Sequence, residues 1–193
     1  KAGFKVTVLY SFWATWALDS DKNLLIDKKW QHRLVGGSPV SNKLIYQLSR
    51  FRKKIATLLI DKLKLLRLAP YFFARNYTEL LAAAKSIKSD LYIAHNLGAL
   101  PIAAEAAKYH NTKYAFDAED YHRGQLEKQV GLEYELIKRI EDRYLPQAIY
   151  ITGASPLISK KYKELYPQHE EVITINNVFS INFRREERKE KHH

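Results

Sequence analysis

The chain of 193 residues contains no cysteine and no methionine. Without cysteine, a disulfide framework, a thiolate zinc site and a cysteine nucleophile are all excluded, and a reducing compartment fits this composition. No run of about 18 or more apolar residues occurs, so we expect no transmembrane helix. The chain starts without a methionine and without a signal-peptide pattern, and we expect it to be a fragment of a longer protein.

The common nucleotide and hydrolase motifs are also missing. The sequence has no glycine-rich dinucleotide fingerprint, no P-loop, no His-Glu-x-x-His zinc motif and no Gly-x-Ser-x-Gly elbow. Its 7 histidines are scattered without a metal-ligand spacing, so we predict no metal site.

What the chain has in excess is positive charge, with 32 Lys and Arg against 21 Asp and Glu. Much of the excess lies between residues 43 and 67. This segment includes Arg50, Arg52, Lys53 and Lys54. A basic patch attracts nucleic acid, anionic lipid or a phosphorylated ligand, whereas the structural alternative is a solvated helix face.

The order of apolar patterns predicts an α/β fold. Short apolar runs at 3–10, 30–35, 90–94, 113–116, 148–152 and 171–175 read as strands. Helical patterns occupy 42–69, 78–87, 101–109, 126–144 and the segment after Ser155. Strands that alternate with helices indicate β-α-β units, so we predict a Rossmann-like parallel sheet flanked by helices.

The longest helical pattern carries a stripe of Leu, Ile and Phe at three- and four-residue steps. It is predicted to be capped by Ser41 or Asn42 and stopped by Pro70. We expect the stripe from Leu44 to Leu66 to pack on the sheet. The alternative is that the helix lies in a membrane interface as an amphipathic helix. The two interpretations are compatible if the Arg and Lys side of the helix faces outward.

Polar residues follow each predicted strand of the second half, where an open parallel sheet binds its ligands. His95-Asn96, the segment 117–124, the segment 153–155 and Asn176-Asn177 hold these positions. The densest cluster consists of Asp117, Glu119, Asp120, His122 and Arg123. Each candidate also has a purely structural alternative.

Asp117 could cap the chain reversal after its strand, and Glu119 could pair with Arg123 at the surface. His122 could be an exposed side chain, and His95 could be a strand-end side chain whose hydrogen bonds are satisfied. Ser155 could be the N-cap of its helix, where the free N–H groups would also suit an anion.

The order of these motifs resembles the N-terminal domain of a family-four, GT-B-type glycosyltransferase. The resemblance rests on Ser89 to Pro101, Lys113 to Tyr121, Glu141 followed by Ala148 to Ser155, Val172 to Val178, and the opening Ala-Gly-Phe-Lys-Val-Thr-Val. It covers about half of the chain. It implies one Rossmann-like domain over 1–183 followed by a charged tail over 184–193, with the first strand-helix unit of the domain missing.

The resemblance implies transfer of a sugar from a nucleotide-sugar donor to an acceptor with retention of configuration. It implies no cofactor and generally no metal. The nucleotide-sugar donor is expected to bind mainly an absent C-terminal domain. The fragment is therefore expected to be inactive alone. Two other functions remain as hypotheses. The chain could be a non-enzymatic basic module that binds membrane or nucleic acid, or it could be half of a nucleotide-sugar epimerase.

Carried over residue by residue, the resemblance assigns Glu119 to the catalytic site. Many family members have a histidine at this position. A carboxylate here would repel the phosphates of the donor unless positively charged side chains nearby offset its charge. Arg123 and His122 are expected to do so. The remaining substrate-binding candidates are His95, Asn96, Asp117, Asp120 and Ser155, together with Arg123 and His122 themselves.

The implied partner is a glycan or a lipid-linked acceptor, and we expect no nucleic acid, because the aromatic-basic interleaving of single-strand binders is missing. Arg50, Arg52, Lys53 and Lys54 are the candidates for contact with an anionic membrane surface. Each Lys or Arg near such a surface contributes about 1 kcal/mol. The expected location is cytoplasmic, with peripheral attachment at the inner membrane face.

Overall fold

The computed structural model describes residues 3–16, 25–26, 28–126, 130–176 and 178. The strands are β1 (Thr7–Ser11), β2 (Gln31–Val35), β3 (Leu91–His95), β4 (Lys113–Ala118), β5 (Ile151–Gly153) and β6 (Val172–Thr174). The helices are α1 (Lys43–Leu63), α2 (Ala69–Phe73), α3 (Tyr77–Lys85), α4 (Leu100–His110), α5 (Leu132–Tyr144) and α6 (Pro156–Leu165). The predicted Rossmann-like α/β class is confirmed.

The strands form two parallel sheets. β1 pairs with β2, and the second sheet has the order β3-β4-β5-β6 with every pair parallel. Helices α4, α5 and α6 are the crossovers between successive strands of the larger sheet. Parallel pairing requires such crossovers, and it places the carboxyl ends of all four strands at one edge.

The main core lies between the larger sheet and its helices. Phe116 and Ile151 are fully buried in β4 and β5, as is Leu136 on α5. Helix α4 faces this core with a run of buried alanines, which lack the bulk to hold the helix away from the strands. A second apolar cluster combines Ala74, Ala84, Ile102 and Ala106 with Leu9 of β1 and Tyr92 of β3, so one helical layer supports both sheets.

The long helix differs from its prediction at both ends. Asn42 precedes it in the left-handed region at φ 51°, and no cap hydrogen bond forms from its side chain. The helix ends at Leu63 because Lys64 adopts the left-handed conformation and donates its N–H to the Leu59 carbonyl. Pro70 does not stop it, and this proline lies in the first turn of α2 instead, where its missing N–H is tolerated.

The prediction that the apolar stripe packs on the sheet is wrong. Leu44 is 88% exposed, Phe51 62% and Leu58 56%. The side of α1 that faces the domain carries small residues, with Ser49 and Ala56 buried beside Ile60. Small side chains allow a closer approach of the helix, which leaves the bulky stripe outside. In the described residues, no helix is long and apolar enough to cross a membrane.

Other predicted boundaries shift by a few residues. Helix α5 begins at Leu132 rather than at 126, and His122–Gly124 forms a short 3-10 turn before it. The predicted strand over 148–152 becomes the three residues of β5. The charged tail over 184–193 and Asn177 lie outside the described residues.

Candidate functional site

Three strands bring a hydrogen-bonded chain of side chains to the carboxyl edge of the larger sheet. His95 of β3 is in register with Asp117 of β4, which is in register with Thr152 of β5. The Nδ1 atom of His95 lies 2.9 Å from Oδ2 of Asp117, and the Thr152 hydroxyl donates to Oδ1 of Asp117 at 2.5 Å. Asp117 is thereby held from both sides, and it fixes the orientation of the imidazole.

The second nitrogen of His95 contacts another carboxylate. Its Nε2 lies 3.1 Å from Oε2 of Glu119, so the ring bridges Asp117 and Glu119. The side chains of His95, Asp117 and Glu119 are 59%, 35% and 38% exposed, so they form an accessible polar group.

Asn96 makes the turn that follows His95. Its φ is 74° and its ψ is 155°, a conformation that few non-glycine residues adopt. Its side-chain oxygen accepts from the Leu97 N–H at 2.6 Å, and its own N–H donates to the Asp117 carbonyl at 3.4 Å. These bonds hold the strained turn and fix the path from β3 into α4.

Ser155 stands at the same edge, after β5. The Ala154 N–H donates to the Ala118 carbonyl at 3.0 Å, which continues the pairing of the two strands. The Ser155 hydroxyl accepts from the Ile158 N–H at 3.4 Å, so the predicted N-cap of α6 is confirmed. Gly153, the last residue of β5, has no room for a side chain, because a Cβ there would lie 2.5 Å from Oγ of Ser159.

Arg123 occupies a buried ion-pair network. Its guanidinium donates to Glu141, Asp142 and the hydroxyl of Tyr166, and its side chain is 7% exposed. The expected surface pair of Arg123 with Glu119 is wrong, since Glu119 contacts His95 instead. Burial alone would lower the pKa of Arg123, but the carboxylates of Asp142 and Glu141 outweigh it and raise the pKa above its ordinary value.

His122 is buried rather than exposed, at 7% of its surface. Its Nε2 atom makes no hydrogen bond, and burial lowers the pKa of this histidine. Asp120 is exposed, and its backbone carbonyl accepts from the Tyr162 hydroxyl at 3.3 Å. The structure therefore places His95, rather than Arg123 or His122, against the carboxylate of Glu119. The assignment of ligand contacts to Asp120, His122 and Arg123 stays a prediction.

A cleft of about 1320 Å³ extends from this site and separates the two sheets. We call it the inter-sheet cleft. His95, Asn96 and Glu119 line it, and so do Arg75 and Asn76.

The sequence interpretation did not identify Arg75 or Asn76. The guanidinium of Arg75 donates to the carbonyls of Gly36 and Gly37, each at 2.9 Å, and lies over the ring of Tyr46 at 4.6 Å. Asn76 is 2% exposed and donates to the Val35 carbonyl at 2.8 Å. The glycine pair after β2 was the available sequence signal for an unusual turn. In the structure both glycines have a positive φ, and Arg75 binds the carbonyls of both.

The four membrane-facing candidates differ in their surroundings. Arg52 pairs with Glu79 at 2.6 Å and is largely covered. Lys53 lies over the ring of Phe72 at 5.7 Å, and Arg50 lies over Tyr46 at 5.5 Å. Arg50 and Lys54 are exposed on the flank of the bare apolar stripe of α1.

Within the described part of the chain, no group of three or more His, Cys, Asp or Glu side chains could hold a metal ion. A scan of the chain against protein-family models finds no match, and a search of the curated proteins finds none.

Proposed function

We propose that the chain is the acceptor-side domain of a retaining GT-B-type glycosyltransferase, which transfers a sugar from a nucleotide-sugar donor to a glycan or lipid-linked acceptor. The observation that carries the proposal is the meeting of His95, Asp117 and Glu119 at the carboxyl edge of a parallel sheet. Ligand sites of open α/β sheets lie at that edge.

The chemistry of this group suits a sugar. Carboxylates accept hydrogen bonds from hydroxyl groups, and such charge-assisted bonds are about twice as strong as neutral ones. Glu119 and Asp117 present acceptors side by side, which fits the neighbouring hydroxyls of a saccharide ring. The roles are therefore acceptor binding by Glu119 and Asp117, with His95 as the positioning residue between them. A nucleotide-sugar donor is expected to bind mainly to another domain.

Saccharide binding tests this proposal directly. Methyl α-glucopyranoside and methyl α-mannopyranoside are titrated into the 15N-labelled chain, together with short oligosaccharides as longer acceptors. We expect shifts of the His95, Asn96 and Glu119 amides, and a loss of binding in Glu119→Gln. The matched control is Glu135→Gln on the exposed side of α5, which should bind like the parent. No saturable shift at this edge with any saccharide would contradict the proposal.

Donor binding gives an independent test. In calorimetry, UDP-glucose is expected to give weak heat or none with the 193-residue chain. Tight binding would contradict the assignment of the donor to another domain, although not the acceptor role of Glu119.

We further propose peripheral attachment to an anionic membrane through α1. The exposed stripe of Leu44, Phe51 and Leu58 with Arg50 and Lys54 beside it supports this. An amphipathic helix of this composition buries its apolar side at the headgroup boundary while its basic side chains face anionic lipid. A basic membrane-binding module without enzymatic activity is the second candidate function, and the saccharide titration separates the two.

A further inference from the structure

Each of the two sheets ends in an unpaired strand at the inter-sheet cleft. In the described residues, β1 pairs with β2 alone and β3 pairs with β4 alone. The cleft between them is lined by residues 7–13 on one side and 91–96 on the other. Both strands contact the same helical layer through Leu9 and Tyr92. They run in the same direction, because both end near the start of α3: Asn76 donates to the Ser11 hydroxyl at 2.9 Å, and Gly98 after β3 lies against the Phe73 carbonyl.

The backbone of β1 directs one set of hydrogen-bonding groups into the cleft. The Gln31 N–H donates to the Val6 carbonyl at 3.1 Å. In a parallel pair, alternate residues of a strand bond to the same neighbour, so Val8 and Tyr10 also face β2. The N–H and C=O groups of Leu9, and of the residues two positions before and after it, therefore point away from β2.

The backbone of β3 does the same from the opposite side. The Asn96 N–H donates to the Asp117 carbonyl, which directs the alternate residues Tyr92 and Ala94 toward β4. The backbone groups of Leu91, Ile93 and His95 consequently face the cleft. Two rows of unpaired donors and acceptors thus oppose each other.

The supporting helices set the width of the cleft. Helix α3 contacts β1, α4 contacts β3, and the two helices pack against each other. Packed helices lie about 8–10 Å apart. Two successive strand spacings amount to about 9.6 Å, because neighbouring strands lie about 4.8 Å apart. The distance between β1 and β3 therefore suits one intervening strand.

We propose that the inter-sheet cleft binds an extended polypeptide strand from outside these 193 residues. The strand would run parallel to β1 and β3 and join the sheets into one, in the order β2-β1-added strand-β3-β4-β5-β6. About five residues span the length of β1 at roughly 3.3 Å per residue. Main-chain bonds to both edges would supply the affinity, as in other cases of strand addition.

The two strands that flank the cleft favour an apolar strand between them. Neither β1 nor residues 91–94 of β3 contain a charged side chain. Val8 is 37% exposed and Ile93 57% exposed on the sheet face that the added strand would extend. A strand buried at the centre of a parallel sheet is typically a continuous run of Val and Ile. Its carboxyl end would lie between Ser11 and His95, beside the candidate site.

A labelled synthetic peptide tests the proposal by fluorescence anisotropy. Its core is Val-Val-Ile-Val-Val with two lysines at each end for solubility, and the control peptide has proline at the central position. Proline lacks the N–H donor and does not fit a central strand. We expect saturable binding of the first peptide and at least roughly tenfold weaker binding of the second, because a buried partner loses its hydrogen bond. Equal binding of both peptides, or binding of neither, would overturn the proposal.

Ile93→Pro is the matching change in the protein. It removes an N–H that faces the cleft and leaves the bonds between β3 and β4 in place, whereas Ile93→Val keeps the donor. We expect Ile93→Pro to lose at least tenfold in peptide affinity and Ile93→Val to bind like the parent. Unchanged binding by a folded Ile93→Pro would place the peptide elsewhere, for example on α1, and would overturn the proposal.

Hydrogen exchange on the parent chain decides the matter if Ile93→Pro does not fold. The peptide is expected to slow exchange of the Leu9 and Ile93 amides at least tenfold while amides of β6 stay unchanged. Unchanged exchange at both positions would contradict strand addition. Sedimentation that shows a dimer whose formation protects these same amides would assign the cleft to a second copy of the chain instead. Neither result depends on saccharide binding, so this inference and the proposed function fail separately.

Discussion

The guanidinium of Arg123 donates from Nε to the carboxylate of Glu141, and the two side chains are 7% and 0% exposed. Tyr162 donates a second hydrogen bond to Glu141 at 2.9 Å. The pair joins the loop after β4 to α5. It therefore fixes the position of the loop that begins at Glu119, directly after β4.

Arg123→Met is expected to lower the free energy of unfolding by about 3–5 kcal/mol, because it leaves the Glu141 carboxylate buried without its partner. Urea unfolding measures the change. The control is Arg143→Met, whose exposed guanidinium lies 3.9 Å from Glu105 and should contribute less than about 1 kcal/mol. A loss at Arg123 no larger than that at Arg143 would contradict a structural role.

His122 is expected to make stability depend on pH. Burial holds the pKa of His122 below its ordinary value of 6.5, so the unfolded chain binds a proton that the folded chain does not. The stabilisation is complete above about pH 6.5 and is lost as the pH falls toward the folded pKa, by at most about 1.4 kcal/mol per pH unit. In His122→Leu this part of the slope should disappear. Urea unfolding of both proteins between pH 7.5 and 5.5 gives the comparison, and identical slopes would refute the prediction.

The exposed side of α1 is expected to govern attachment to membranes without affecting stability. Phe51→Ser should lower the fraction of protein that floats with vesicles containing phosphatidylglycerol, because an apolar side chain contributes about 1.5–3 kcal/mol when fully buried. Its melting temperature should be unchanged. Ile60→Ala is the opposite control, since Ile60 is fully buried and its truncation should destabilise the fold by about 2–5 kcal/mol.

The basic flank of the same helix gives a salt-dependent test. Lys54→Gln should weaken flotation at low salt by about 1 kcal/mol and have little effect at high salt. Vesicles of phosphatidylcholine alone should bind both proteins poorly. Equal flotation with neutral and anionic vesicles would contradict the electrostatic part of the membrane proposal. No flotation at low salt would contradict the whole membrane proposal.

Ser155→Ala is expected to lower stability by about 1 kcal/mol, since it removes the N-cap of α6. Ser155→Asp keeps a side-chain acceptor and should retain most of the stability. If Ser155 also contacts the saccharide, the Asp variant should bind more weakly than the parent although it is equally stable. The combination of thermal unfolding and the saccharide titration separates the cap from the binding role.

The sequence by itself determined the strands, the crossover helices and the parallel sheet of residues 89–176. In the predicted strand at 113–116, residues 114–116 are all buried. Each such run is followed by a helical repeat, so local patterns suffice. Parallel strands end at one edge by geometry, which is why His95 and Asp117 were correctly expected near each other. The Ser155 cap was readable because an N-cap depends only on its own helix.

Only the tertiary structure decided which charges meet and which apolar faces are covered. Glu119 contacts His95, and Arg123 turns inward to Glu141, because the loop after β4 folds against α5. The stripe on α1 has the spacing of a core face, yet the smaller Ser49 and Ala56 lie against the domain. Periodicity reports that a helix has an apolar side, but the shape of the opposing surface determines which side packs closely.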